Sequence, residues 1–246
     1  MALANSSPCG LSQVNSSPRV QRSKQVHVPF VGCPSDGQVG PLKAPTGDTK
    51  IVIINEAVAK NVAYYKAEEG LGVLAPRGWH CFSTYGSNGS SLFISPEPIK
   101  SRDLFSRDWK GFPGPAIQVS VSVGDTSGRF EVAGVIARVF PAHRSFVDDV
   151  IAEKIRPATD FPSGPYPGDK LTYLSDSVVE FETPANAEGL GTQSFLKEND
   201  QPIKGIALLF GEELNLVQAS TRLPKASAGL VHAIIQQLRH DAETSE

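Results

Sequence analysis

Residues 156–170 set the tightest limit on how this chain can fold. The stretch holds Pro157, Pro162, Gly164, Pro165, Pro167 and Gly168. Proline removes a backbone donor and fixes φ, so neither a helix interior nor an inner strand runs through it. Such a segment is expected on the surface as an ordered Pro-rich crossover, with a lid as the alternative use. The regular elements must therefore be found on its two sides separately.

On the N-terminal side, Ile51-Val52-Ile53-Ile54 is a short apolar run that reads as a strand, and Asn55 after it is a helix N-cap. Val58, Val62 and Tyr65 then recur at helical spacing, which predicts a helix closed by Gly70 as a left-handed C-cap. Residues 71–75 are a second strand. Residues 81–85 and 90–95 flank Gly86-Ser87-Asn88-Gly89, and Asn-Gly between such runs is a hairpin signal. After the Pro/Gly joint at 111–115, residues 116–123 alternate Ala-Ile-Gln-Val-Ser-Val-Ser-Val, the pattern of a half-buried strand. Val132, Val135, Ile136, Val139 and Phe140 share a helix face, which Pro141 ends. Ser145 with Asp148 resembles a capping box opening a helix whose inner face is Phe146, Val147, Val150, Ile151 and Ile155.

On the C-terminal side, strands are expected at 170–174, 178–183, 205–210 and 214–223, the third so apolar that it belongs inside a sheet. Residues 225–239 close the chain as an amphipathic helix, with Ala226, Leu230, Ile234 and Leu238 four apart and Val231 and Ile235 beside them. Strands with two or three covering helices imply an α+β fold: a mainly antiparallel sheet with helices packed on it, an α/β sandwich. Residues 1–25, rich in Ser, Asn, Pro and Gln, have almost nothing to bury and are expected to be a disordered arm. Residues 26–246 then form a single domain, with two similar halves joined near 156–170 as its other description. Glu-Gly-Leu-Gly occurs at both 69–72 and 188–191, a match too short to establish a repeat.

A net charge of −3 with no basic block gives no footprint for nucleic acid, and no apolar run approaches the ~20 residues of a membrane span. No Cys-x-x-Cys, His-x-x-x-His or Asp-x-Asp pattern suggests a metal, and the Gly-Leu-Gly segments lack the rest of a phosphate-binding fingerprint. No cofactor is expected. Ala2-Leu3-Ala4 has the small-x-small form left at signal-peptidase sites although no apolar signal core stands before it, so the chain reads as a mature exported form begun by an added Met1. Cys9 lacks a lipoprotein box. Asn5, Asn15 and Asn88 each begin an Asn-x-Ser triplet. Cys33 and Cys81 sit in turn-rich segments: an exported context favours a disulfide, and a reducing one leaves two buried thiols. A bridge closing a loop of about 48 residues is worth ~4 kcal/mol on the chain-entropy account.

The densest gathering of functional residue types runs from Arg77 through Trp79, His80, Cys81 and Tyr85 to Ser91. Cys81 as a nucleophile needs a distant base, His27, His143 or His232, because adjacent His80 points to the opposite side of a strand. No Gly-x-Ser-x-Gly surrounds Ser87, and Asp148 with Asp149 complements a helix dipole better than it suggests acid–base work. If Cys33 meets Cys81, Asp36 and Gln38 join Arg77, His80 and Tyr85 in a polar site with Trp79 and Tyr85 as stacking faces, unless these groups merely satisfy one another.

The segments Phe30-Val-Gly-Cys-Pro-Ser-Asp-Gly-Gln38, Leu74-Ala-Pro-Arg-Gly-Trp-His-Cys81 and Tyr85-Gly-Ser-Asn-Gly-Ser-Ser91 resemble those of a family of uncharacterised bacterial proteins, commonly predicted to be exported. The resemblance runs from about Phe30 to the last helix and implies a placement outside the cytoplasm, periplasmic or secreted, with no activity or catalytic residue attached. The sequence thus leads to a non-enzymatic domain binding a small molecule, a glycan or a partner through Arg77, Trp79, His80, Tyr85, Asp36 and Gln38. The alternative is a thiol-dependent hydrolase or transferase using Cys81.

Overall fold

A computed structural model describes residues 24–244. The expectations for Ala2-Leu3-Ala4, Asn5, Cys9, Asn15 and most of the N-terminal arm lie outside the described residues. The fold is α+β, with two mostly antiparallel sheets and helices packed on them. The smaller sheet runs β3 (Thr49–Ile54), β1 (Lys24–Gly32), β4 (Val62–Lys66), β5 (Val73–Pro76). The larger runs β2 (Ser35–Gly37), β6 (His80–Gly86), β7 (Gly89–Ser95), β8 (Ala116–Ser122), β12 (Asn215–Arg222), β11 (Ile203–Phe210), β10 (Val178–Thr183), β9 (Lys170–Ser175). Among these strands, β1 with β4 and β2 with β6 pair in parallel and the other neighbours antiparallel.

The period-two pattern of β8 explains the layering. Its Ile117 and Val119 join Leu92, Ile94, Ile206, Leu208, Val217 and Ala219 on one face of the large sheet. There they share a core with Val28, Val52, Tyr65 and Leu74 of the small sheet and with Ile234, Ile235 and Leu238 of α5 (Val231–Glu243). The other face carries Val179, Phe181, Ala207, Leu209 and Leu216, covered by Val132, Ile136 and Val139 of α3 (Arg129–Val139) and by Val147 and Val150 of α4 (Arg144–Ala152). Strands from both sides of residues 156–170 belong to one sheet, joined where β8 pairs with β12. The proline-rich stretch is mostly exposed and carries a single 3-10 turn, Ala158–Asp160, with Phe161 after it buried.

Several expectations are corrected. The expected arm runs into β1, which begins at Lys24 and buries Val28. Asn55 does cap a helix, its Oδ1 accepting from Ala57 N–H at 2.7 Å, but α1 covers only Glu56–Ala59. Val62-Ala-Tyr-Tyr65 is strand β4 instead, because β-branched and aromatic residues favour a pleated surface and all four are buried between β1 and β5. Gly70, at φ 77°, turns the chain between β4 and β5 rather than capping a helix. Ser145 is inside α4, whose N-cap is His143 without a side-chain cap, and Asp148 pairs with Arg144 at 3.1 Å. Lys154 at φ 58° reverses the chain after α4, leaving Ile155 63% exposed rather than on the inner face. The last helix starts at Val231: residues Lys225–Leu230 form a 3-10 turn that leaves Ala226 exposed, as Ser227 and Gly229 are poor α-helix formers.

Among the described residues no helix is long and apolar enough to cross a membrane.

Candidate functional site

Cys33 and Cys81 are joined, with Cα atoms 5.4 Å apart. The bond ties the end of β1 to the start of β6 and brings Asp36, Gln38 and Tyr85 together. Gly37 pairs with Tyr85, Gln38 N–H donates to Tyr85 O at 3.2 Å, and the Tyr85 hydroxyl donates to Gly40 O at 2.6 Å. Asp36 turns its Oδ1 back on Gly37 N–H at 2.9 Å.

Arg77, Trp79 and His80 do not complete that cluster. The Arg77 guanidinium donates to Val62 O and Ala59 O, both at 2.9 Å, and so closes the loop after α1. Trp79 packs against the shared core, its backbone N–H donating to the Tyr65 hydroxyl at 3.2 Å. Exposed His80 lies at the far end of β6, five residues before Tyr85, a separation of roughly 17 Å along a strand. Cys81, held in the disulfide, has no thiol to ionise. His27 and His143 lie against Thr49 Oγ1 at 3.4 Å and Ser177 Oγ at 2.9 Å, and His232 is in α5.

A polar cleft opens on the other face of the large sheet. Its floor is a polar strip across four strands. Register places Thr84, Ser91, Ser120 and Gln218 in one row, and Gln118 beside Ser220 in the next. These are the polar positions of the alternating β8 pattern and its neighbours, whose odd partners fill the shared core. One wall is the turn Leu190–Gln193 with Ser194, the opposite margin is the β6–β7 hairpin with Tyr85 and Asn88, and Glu131 of α3 reaches in. The volume of the cleft is about 290 Å³. Gly89 lets the hairpin lie flat on β8: at φ 132°, an added Cβ would fall 1.8 Å from Val121 O.

Hydrogen bonds fix the strip. Ser91 Oγ and Ser120 Oγ are 2.8 Å apart, and Gln118 Nε2 donates to Ser120 Oγ at 2.9 Å. Gln118 Oε1 accepts from Phe195 N–H at 2.7 Å, and Gln218 Nε2 donates to Leu190 O at 3.0 Å, so two glutamines of the floor hold the wall. Asp169 anchors its far side, accepting from Leu190 N–H and from the Thr183 hydroxyl, both at 2.7 Å. Ser220, 1% exposed, has an Oγ with no hydrogen-bond partner among the described residues. Glu131 is the one charged residue among those lining this cleft, and no histidine lines it. What it offers is an array of hydroxyl and amide groups that both donate and accept.

Of the residues singled out from the sequence, Tyr85 lines this cleft. Thr84 and Ser90 with Ser91, from the same segment, do so as well. Gln118, Ser120, Gln218 and Ser220 were not singled out. Their signal was the alternation of polar with apolar residues at 116–123 and 214–223, which says that one face is polar without saying that it is covered. No group of three or more His, Cys, Asp or Glu side chains comes together among the described residues. Compared with protein-family models, curated proteins and solved structures, the chain matches none.

Proposed function

We propose that this is an exported, non-enzymatic binding protein whose serine- and glutamine-floored cleft takes a small, uncharged, hydroxyl-rich ligand of the saccharide class. The observation that carries the reading is the Ser91–Ser120–Gln118 strip along the floor of the cleft. Sugar hydroxyls, like serine hydroxyls, donate and accept at once, so each matches a floor of this composition. A volume of about 290 Å³ sits at the small end of ligand pockets. Export is supported by the Cys33–Cys81 disulfide and by the resemblance of its flanking segments to bacterial proteins predicted to be exported.

The test is calorimetric titration of the full chain with a panel of mono- and disaccharides, beside a Ser120→Ala variant matched in melting temperature. We expect saturable binding of at least one sugar and about tenfold weaker binding in the variant, the scale of one lost hydrogen bond. Absence of any sugar binding, or unchanged affinity in folded Ser120→Ala, overturns the reading.

A further inference from the structure

We infer that the cleft continues into a second, arginine-bearing chamber and that the ligand is an acidic oligosaccharide, with a carboxylate seated at Arg138 and Arg156. This rests on the saccharide reading and specifies it. The second chamber, about 320 Å³, lies between α3 and the proline-rich crossover, and Glu131, Gln193 and Gln218 line both spaces. A ligand filling the two is longer than one sugar ring.

The two chambers differ in charge. Arg138 lies 4.1 Å from the Tyr166 ring centroid and donates to Gly164 O at 3.2 Å. Arg156 lies 4.6 Å from the Phe130 ring. Neither forms an ion pair with a described carboxylate, although Asp160 lines the same chamber and Glu131 its boundary. Arg129, on the same Phe130 ring, behaves differently, since Glu153 takes its guanidinium at 2.7–3.0 Å. Ring stacking fixes the plane of a guanidinium while leaving its edge N–H groups to a planar, two-oxygen acceptor. Glu131 repels an anion at the junction, so a ligand carboxylate is favoured beyond it and uncharged hydroxyls over the serine strip. The proline-rich crossover thereby becomes one wall of a binding groove rather than a connection alone.

The experiment titrates the full chain with matched neutral trisaccharides and their C6-carboxylate counterparts in the gluco, galacto and manno series. In at least one series the carboxylate trimer should bind about tenfold tighter than its neutral match, with the advantage shrinking as salt is raised. Arg156→Gln, at an exposed position, and Arg138→Gln should each reduce that advantage, and together remove it. Equal binding of neutral and acidic trimers in every series, or an acid preference that survives both substitutions, overturns the inference and leaves the saccharide reading standing. Failure of every sugar to bind removes both.

Discussion

Arg222 is 1% exposed, yet its guanidinium meets carbonyl oxygens rather than a carboxylate. It donates to Phe112 O at 2.7 Å, to Gly114 O at 2.8 and 3.0 Å, and to Lys197 O. Burial pushes its pKa down from the usual arginine value, opposed by the charge of Asp200. This one side chain pins the 112–114 joint and the end of the cleft wall to β12, beneath the Phe93–Trp109–Phe112–Phe195 ring cluster. Arg222→Leu strands several buried acceptors and should lower unfolding free energy by about 3 kcal/mol in urea titrations. Arg222→Lys should be nearly as harmful, because an ammonium cannot span the same fork. A loss below about 1 kcal/mol would mean that water replaces the guanidinium. An arginine ending a strand of mixed polar and apolar residues gives no sign in the sequence that it will be buried, as its partners lie 25, 108 and 110 residues away. Asn55 as a cap was legible because its partner is two residues on.

Helix α5 shows the same contrast for an element. Its apolar stripe of Ile234, Ile235 and Leu238 was legible, and all three are buried. What latches it to the small sheet was not. Gln237 Oε1 accepts from Ile53 N–H at 2.8 Å, Gln237 Nε2 donates to Asp241 Oδ1 at 2.9 Å, and the Tyr64 hydroxyl donates to Asp241 Oδ2 at 2.9 Å. Burial, then the Asp241 charge and hydrogen bond, hold the Tyr64 hydroxyl protonated far above the ordinary tyrosine range, and burial raises Tyr65 as well. Unfolded tyrosine ionises near pH ~10. Above that pH the native state keeps a proton that the unfolded state has lost, so stability is full below it and falls as pH rises, by up to ~1.4 kcal/mol per pH unit per group. Thermal melts from pH 9 to 11 should show this decline, and Tyr64→Phe should flatten it while leaving the Tyr65 part. An unchanged slope in Tyr64→Phe would place the alkaline sensitivity elsewhere. Local patterns revealed the hairpin, β8 and α3, whereas the helix expected over residues 58–70 failed because Val62 and Tyr65 fit a helix face and a buried strand equally well until β1 and β5 are beside them.

At the scale of the molecule, the disulfide and the cleft occupy different parts of the large sheet. Cys33 is fully buried in the core shared by the two sheets, whereas the serine strip lies on the opposite face, under α3 and the Leu190–Gln193 turn. The sequence points to a binding site at the bridge because joining Cys33 to Cys81 carries Asp36 and Gln38 toward Arg77, His80 and Tyr85. The cleft itself draws on residues from Thr84 to Ser220, and only strand order brings those together. Removing the bridge as Cys33→Ala/Cys81→Ala frees a 48-residue loop in the unfolded chain and should lower stability by about 2–4 kcal/mol. The two sheets should stay packed, because the apolar core between them does not depend on the bond. Saccharide affinity, measured well below the lowered melting temperature, should change by less than about twofold, since no hydrogen bond of the Ser91–Ser120–Gln118 strip passes through either cysteine. Affinity lost in a variant that remains folded would move the binding site back to the Cys33–Cys81 face, where Asp36, Gln38 and Tyr85 meet.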